Sequence, residues 1–266
     1  MRTLLIIAAL SATTVLASCN SDEDAQTEAV ANEYDARQYM QAINDIARLD
    51  DQEQDEARKP GELLAFAQID TGDVVGDFIM GGGYVTRLLA TAVGADGKVF
   101  AFQPDEFIAF NPDYGPQQDD TVRRYSDDDG NPVTVFPLRA PLTQPGWPEP
   151  LDTIITVMNF HDLYLEQFPE GTAEDGAAML FDSLKPGGTL VVVDHLALDG
   201  AGAEAANTLH RMDADLALAT LTAAGFEMDA QSDLFAQPDD PRTENVFEDS
   251  IRGRTDQFAW QLRKPE

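Results

Sequence analysis

The chain contains one cysteine, three histidines and only 17 lysines and arginines among its 266 residues. Each scarcity excludes something. A lone cysteine, Cys19, allows no intramolecular disulfide and no cysteine cage for a metal, so stability must come from a packed core. Against 48 aspartates and glutamates the few cations leave a formal charge of −31, which repels phosphate backbones and excludes nucleic acid as an expected partner. The acidity itself reads as solubility or adaptation to salt. No internal repeat is visible.

What is present begins with an N-terminal signal. Met1-Arg2 gives a short positive start, and Leu4 to Leu10 is an apolar run too short for a stable membrane span. Residues 1–18 are therefore expected to be removed. Leu16-Ala17-Ser18-Cys19 resembles the bacterial lipobox, in which Cys19 is lipidated and becomes the first mature residue. Asn20 lacks the aspartate that marks inner-membrane retention, so the expected address is the periplasmic side, with the outer membrane favoured. Residues 19–33 read as a polar, acidic tether between lipid and domain. Residues 34–266 are long enough to bury one substantial core.

Along that domain, helical spacing predicts a helix over residues 34–49, a charged loop over 50–55, and a second helix opening at Pro60. Strands and helices then alternate. Strands are expected at 74–78, 99–102, 133–136, 153–158, 189–193, 226–230 and 257–262. Helices are expected at 84–93, 107–110, 174–183 and 213–224. The last two strands flank a long loop, 235–256, rich in Pro, Asp and Arg; loops of that length are more often functional than idle. This pattern predicts an α/β fold: a Rossmann-like, seven-stranded, mostly parallel sheet with helices on both faces and an antiparallel last strand.

The most informative stretch runs from Val74-Val75 through Gly81-Gly82-Gly83-Tyr84 to Val99-Phe100-Ala101-Phe102. Strand, glycine turn, helix and second strand build a βαβ unit, with room at its first turn for a nucleotide-like cofactor. Together with Asp152 to Asp162, Leu184 to Thr189 and the late strand pair, it resembles the class I S-adenosylmethionine-dependent methyltransferases over nearly the whole domain. Thr208 to Asp213, Asn245-Val246-Phe247 and Arg252-Gly253 look like features of an exported methyltransferase-like subgroup.

The resemblance implies S-adenosylmethionine as cofactor, held by Asp77, Gly81, Gly82, Gly83, Tyr84, Gln103 and Asn159. Two positions depart from it. Ile79 stands where the family has its first glycine and is expected to tilt the turn or narrow the space beside it. Gln103 replaces the strand-two acid that grips the ribose; it can accept one hydrogen bond and donate another, without the charge.

All three histidines, His161, His195 and His210, fall where this fold places the carboxyl ends of its strands. One of them could take a proton from the methyl acceptor. Alternatively, His161, Asp162, Asp194, His195 and His210 could hold a metal. Arg211, Arg242, Arg252 and Arg254 either bind an anionic substrate or pair with Asp239, Asp240, Glu244 and Asp256 to hold the long loop; pairing is the expected outcome. Three functions remain open: a methyltransferase acting on a small molecule, an exported ligand-binding protein that has lost the transfer chemistry, and a metal-assisted enzyme.

Overall fold

The computed structural model describes residues 36–266; the signal, Cys19 and the tether lie outside the described residues. Seven strands form one sheet: β1 (Val74–Phe78), β2 (Lys98–Pro104), β3 (Val135–Ala140), β4 (Leu151–Val157), β5 (Leu184–His195), β6 (Glu227–Ser232) and β7 (Gln257–Arg263). Their order is β3-β2-β1-β4-β5-β7-β6, with β7 antiparallel to both neighbours and the other pairings parallel. The chain steps outward from β1 to β3 and returns to the other side of β1 as β4. That reversal opens a crevice beyond the carboxyl ends of β1 and β4, where an open α/β sheet binds ligands.

Strand alternation feeds two cores. Val99, Ala101, Val191 and Val193 pack toward α3 (Pro60–Ala67) and α4 (Tyr84–Val93). Phe100, Phe102, Leu190 and Val192 pack toward α7 (Thr172–Ser183) and α9 (Ala214–Ala223). Both faces of the sheet are thus covered, as its near-continuous apolar strands require. Among the described residues no helix is long and apolar enough to cross a membrane.

Several local expectations are corrected. The helix expected over 34–49 is a 3-10 turn, Ala36–Tyr39, and one α-turn, α1 (Met40–Ile43); the chain then breaks and resumes as a 3-10 segment, Ile46–Gln54. The break has a cause in side-chain competition for the backbone. Asn44 Nδ2 donates to the Met40 carbonyl, and extended Asp45 accepts from the Ala47 amide as a new cap. Nor is 50–55 a solvated loop: it leads into α2 (Asp55–Arg58), and Asp51 and Asp55 are held in ion pairs. A helix absent from the sequence reading, α6 (Tyr114–Arg124), buries Gln118 and Thr121 instead of an apolar stripe. Strand three lies at 135–140, not 133–136. Lys185 to Gly188 interrupts the β4–β5 pairing inside β5 without ending the strand.

Candidate active site

The glycine turn survives its substitution. Ile79 adopts φ +64°, Gly81 +53° and Gly83 +83°, so the branched residue accepts the left-handed conformation of the glycine it replaces. That costs about 1–2 kcal/mol for a residue with a Cβ. Packing supplies the compensation, because Ile79 is 2% exposed and belongs to the core with Phe78 and Phe160. The turn is pinned by two hydrogen bonds: the Met80 amide donates to the Phe102 carbonyl (2.9 Å), and Asn159 Nδ2 donates to the Ile79 carbonyl (2.9 Å). Asn159 is thus a clamp between the ends of β4 and β1.

Around the turn, Asp77 is buried and accepts from Thr86 Oγ1 at 2.5 Å. Burial lifts its pKa to about 6, against the Thr86 hydrogen bond and the Arg87 charge. Tyr84 donates to Asp55 Oδ1 (2.7 Å), and its ring lies 4.6 Å from the Arg58 guanidinium and 5.1 Å from that of Arg48. Arg48 binds Asp55, and Arg87 binds Asp51 through two nitrogens, at 2.5 and 2.6 Å.

Gln103 is the last residue but one of β2, at the same edge of the sheet, opposite Arg139 of β3. It is fully buried, and neither its amide nitrogen nor its oxygen has a hydrogen-bond partner among the described residues. A buried amide in that state costs about 1–3 kcal/mol per unmet group unless something else satisfies it.

The histidines converge as the sequence predicted. Ring centroids of His161 and His195 are 6.2 Å apart, and those of His161 and His210 are 5.8 Å apart. Asp194 organises them. Its carboxylate accepts His161 Nδ1 (2.8 Å), the His161 amide (2.7 Å) and the His195 amide (2.7 Å), all fully buried. Burial works against a charged His161 ring, but the charge and hydrogen bond of Asp194, with Asp162 beside it, hold its pKa up at about 9. Burial likewise opposes the Asp194 carboxylate, and His161 outweighs it, keeping Asp194 below its ordinary range.

His195 and His210 go the other way. Burial, only partly offset by Asp194, drives His195 down to about 4, with further repulsion from His161, Arg211 and Arg58. Its Nδ1 meets Thr255 Oγ1 at 2.8 Å. Burial and the His161 charge also lower His210, whose Nδ1 is buried without a hydrogen-bond partner among the described residues. At neutral pH the cluster therefore holds one imidazolium and two neutral rings. The histidines are not interchangeable, and a base role suits His161 least.

These residues wall a cavity of about 730 Å³, within the range that encloses a drug-sized ligand. Of the sequence-predicted site, Asp77, Gly81, Gly82, Tyr84, Asn159, His161, His195 and His210 line it. Gly83 and Gln103 do not: Gly83 is the N-cap of α4, where a Cβ would lie 2.6 Å from Thr121 Oγ1. Among the described residues no group of three or more His, Cys, Asp or Glu side chains is placed to hold a metal, so the metal-assisted alternative finds no support. Of the four arginines expected to pair, Arg211 on Asp240 and Arg242 on Asp256 do so and strap the long loop; Arg252 and Arg254 make no ion pair among the described residues. Sequence reasoning missed Arg58, Thr255 and the mouth residues Phe107 and Phe110; isolated residues of these types carry no motif.

No family model and no curated protein matches the chain. Solved structures do. A SAM-dependent methyltransferase from Aquifex aeolicus aligns over 83% of this chain and 97% of its own, at 18% identity and a TM-score of 0.51. A chain of the complex between the Haloferax volcanii Trm112 methyltransferase activator and a methyltransferase aligns over 86% and 98%, at 16% identity and 0.53. The [4+2]-cyclase SpnF aligns over 79% and 80%, at 15% identity and 0.51. Identities this low speak for architecture and not for activity. The chain has the Rossmann-like fold of the S-adenosylmethionine-dependent methyltransferases.

Proposed function

We propose that the protein is an S-adenosylmethionine-dependent methyltransferase acting on a small molecule. The observation that carries the reading is one cavity that joins an intact left-handed glycine turn to the His161–Asp194 pair. The residues present fit the cofactor. Gly82 lines the cavity without a left-handed backbone, and a Cβ there would meet only Gln117 Oε1, at 3.7 Å. Gly81 likewise has open space. Asp77, Gly81, Gly82 and Tyr84 would hold the cofactor.

When bound, the cofactor supplies a methyl group already activated on a sulfonium sulfur. The chain's own work is orientation and charge. His161, held charged by Asp194, offers a positive wall that favours the ionised form of an acceptor oxygen. His210, a neutral ring on the cavity wall, accepts the proton.

The test is calorimetric titration with S-adenosylhomocysteine. Wild type is expected to bind it one to one. Gly82→Val, which the fold accommodates and the cavity does not, is expected to lose that binding with its thermal stability retained. Absence of binding in wild type at high micromolar ligand refutes the reading.

Residues 1–18 and Cys19 support export and lipid anchoring as part of the same proposal. Labelling with a fatty-acid analogue tests it, with Cys19→Ser expected to remove the label and release the protein from membranes. Equal labelling in the variant contradicts it.

A further inference from the structure

A second cavity, of about 460 Å³, shares Arg58, Tyr84, Met158, His195, Val246 and Phe247 with the first. Its walls are mostly apolar, through Leu63, Phe235, Val246 and Phe247, but two arginines, Arg58 and Arg252, stand among them. Among the described residues neither arginine side chain has a hydrogen-bond or ion-pair partner; Arg58 rests on the Tyr84 ring. That is unusual for this molecule. Its fully buried or nearly buried arginines each face a carboxylate: Arg48 on Asp55, Arg87 on Asp51, Arg211 on Asp240.

The carboxylates nearest Arg58 are already engaged. Asp51 gives both oxygens to Arg87, and Asp55 receives Arg48 and the Tyr84 hydroxyl. The group of Arg48, Arg58, Arg87, Asp51 and Asp55 therefore carries one uncompensated positive charge. Among the lining residues of the second cavity Glu53 is the sole carboxylate, and it is exposed. Withdrawal from water lowers the Arg58 pKa, against the pull of Tyr84 and Asp51. A half-desolvated cation with no partner favours any anion that can reach it.

We propose that the second cavity binds the carboxylate or phosphate of an amphiphilic small molecule, held between Arg58 and Arg252 with its apolar body against Leu63, Phe235 and Phe247. The inference rests on the methyltransferase reading only in taking that molecule as the methyl acceptor. Because the two cavities meet at His195 and Met158, a molecule anchored by its anion in the second reaches toward the histidines of the first.

Phenyl phosphate and benzoate serve as probes, with benzyl alcohol as the neutral control, in calorimetry and thermal-shift titrations of the full chain. Both anions are expected to bind at least tenfold more tightly than the alcohol. Arg252→Gln and Arg58→Gln are each expected to weaken them tenfold or more, as loss of a charge-assisted bond implies. Arg252 is exposed, so that variant keeps the fold. S-adenosylhomocysteine is expected to bind Arg252→Gln as it binds wild type. Anions that bind no better than the alcohol, or equally well to Arg252→Gln, overturn the proposal. So does Arg58→Gln that weakens S-adenosylhomocysteine alone, which assigns Arg58 to the cofactor carboxylate. Anion binding that persists where S-adenosylhomocysteine does not bind supports this site and refutes the methyltransferase reading.

Discussion

Raising the pH through the alkaline range should remove a defined part of this protein's stability, and His161 should be the group that removes it. The ring is buried against Asp194, which lifts its pKa from an ordinary 6.5 to about 9. A histidine whose folded pKa is raised binds its proton more tightly in the native state. Its contribution is complete below pH 6.5 and disappears as the pH rises through about 9. A separation of that size corresponds to about 3 kcal/mol. The buried tyrosines do not confuse the window: burial pushes Tyr84, Tyr125 and Tyr164 upward, so they stay neutral across it. Urea denaturation at intervals between pH 6.5 and 9.5 measures the loss directly. His161→Gln is expected to be less stable throughout, since it leaves the Asp194 charge unpaired, but flat across the same window. Wild-type stability independent of pH from 6.5 to 9.5, or an equal slope in His161→Gln, would refute the assignment of a charged His161.

Two further substitutions separate packing from polarity. Gln103→Leu removes two unsatisfied buried polar atoms and is expected to raise the protein's stability by about 1–3 kcal/mol; a destabilised variant in urea denaturation would show that the amide has a partner. Ile79→Gly is expected to destabilise less than Ile79→Ala although it removes more atoms, because alanine keeps the cost of φ +64° and glycine does not. The reverse order would mean that the turn relaxes in solution.

Much of the fold was legible because its signals are local and periodic. The expected Val74–Phe78 strand and Tyr84–Val93 helix coincide with β1 and α4, since apolar runs and glycine breaks mark both ends. The α6 helix was hidden because its buried face is Gln118 and Thr121, which hydropathy reads as surface. Residues 50–55 misled in the opposite sense: a run of acids looks solvated until Arg48 and Arg87, brought from either side, are seen to bind it. For the site, the sequence could place three histidines at one edge, since strand ends are predictable. It could not divide them into one cation and two neutral rings. That division depends on Asp194 accepting three hydrogen bonds in a dry interior, a property of packing and not of spacing. Arg58 was overlooked for a related reason, as an unpaired arginine is recognised only once every carboxylate around it has been assigned.

The measurement that bears most directly on the account is calorimetry of S-adenosylhomocysteine with wild type and Gly82→Val side by side. The account predicts one saturable site in wild type and none in a Gly82→Val protein that unfolds at the wild-type temperature. No heat in wild type, or the same affinity in both, would contradict the claim that this glycine turn and the cavity beside it form a cofactor site.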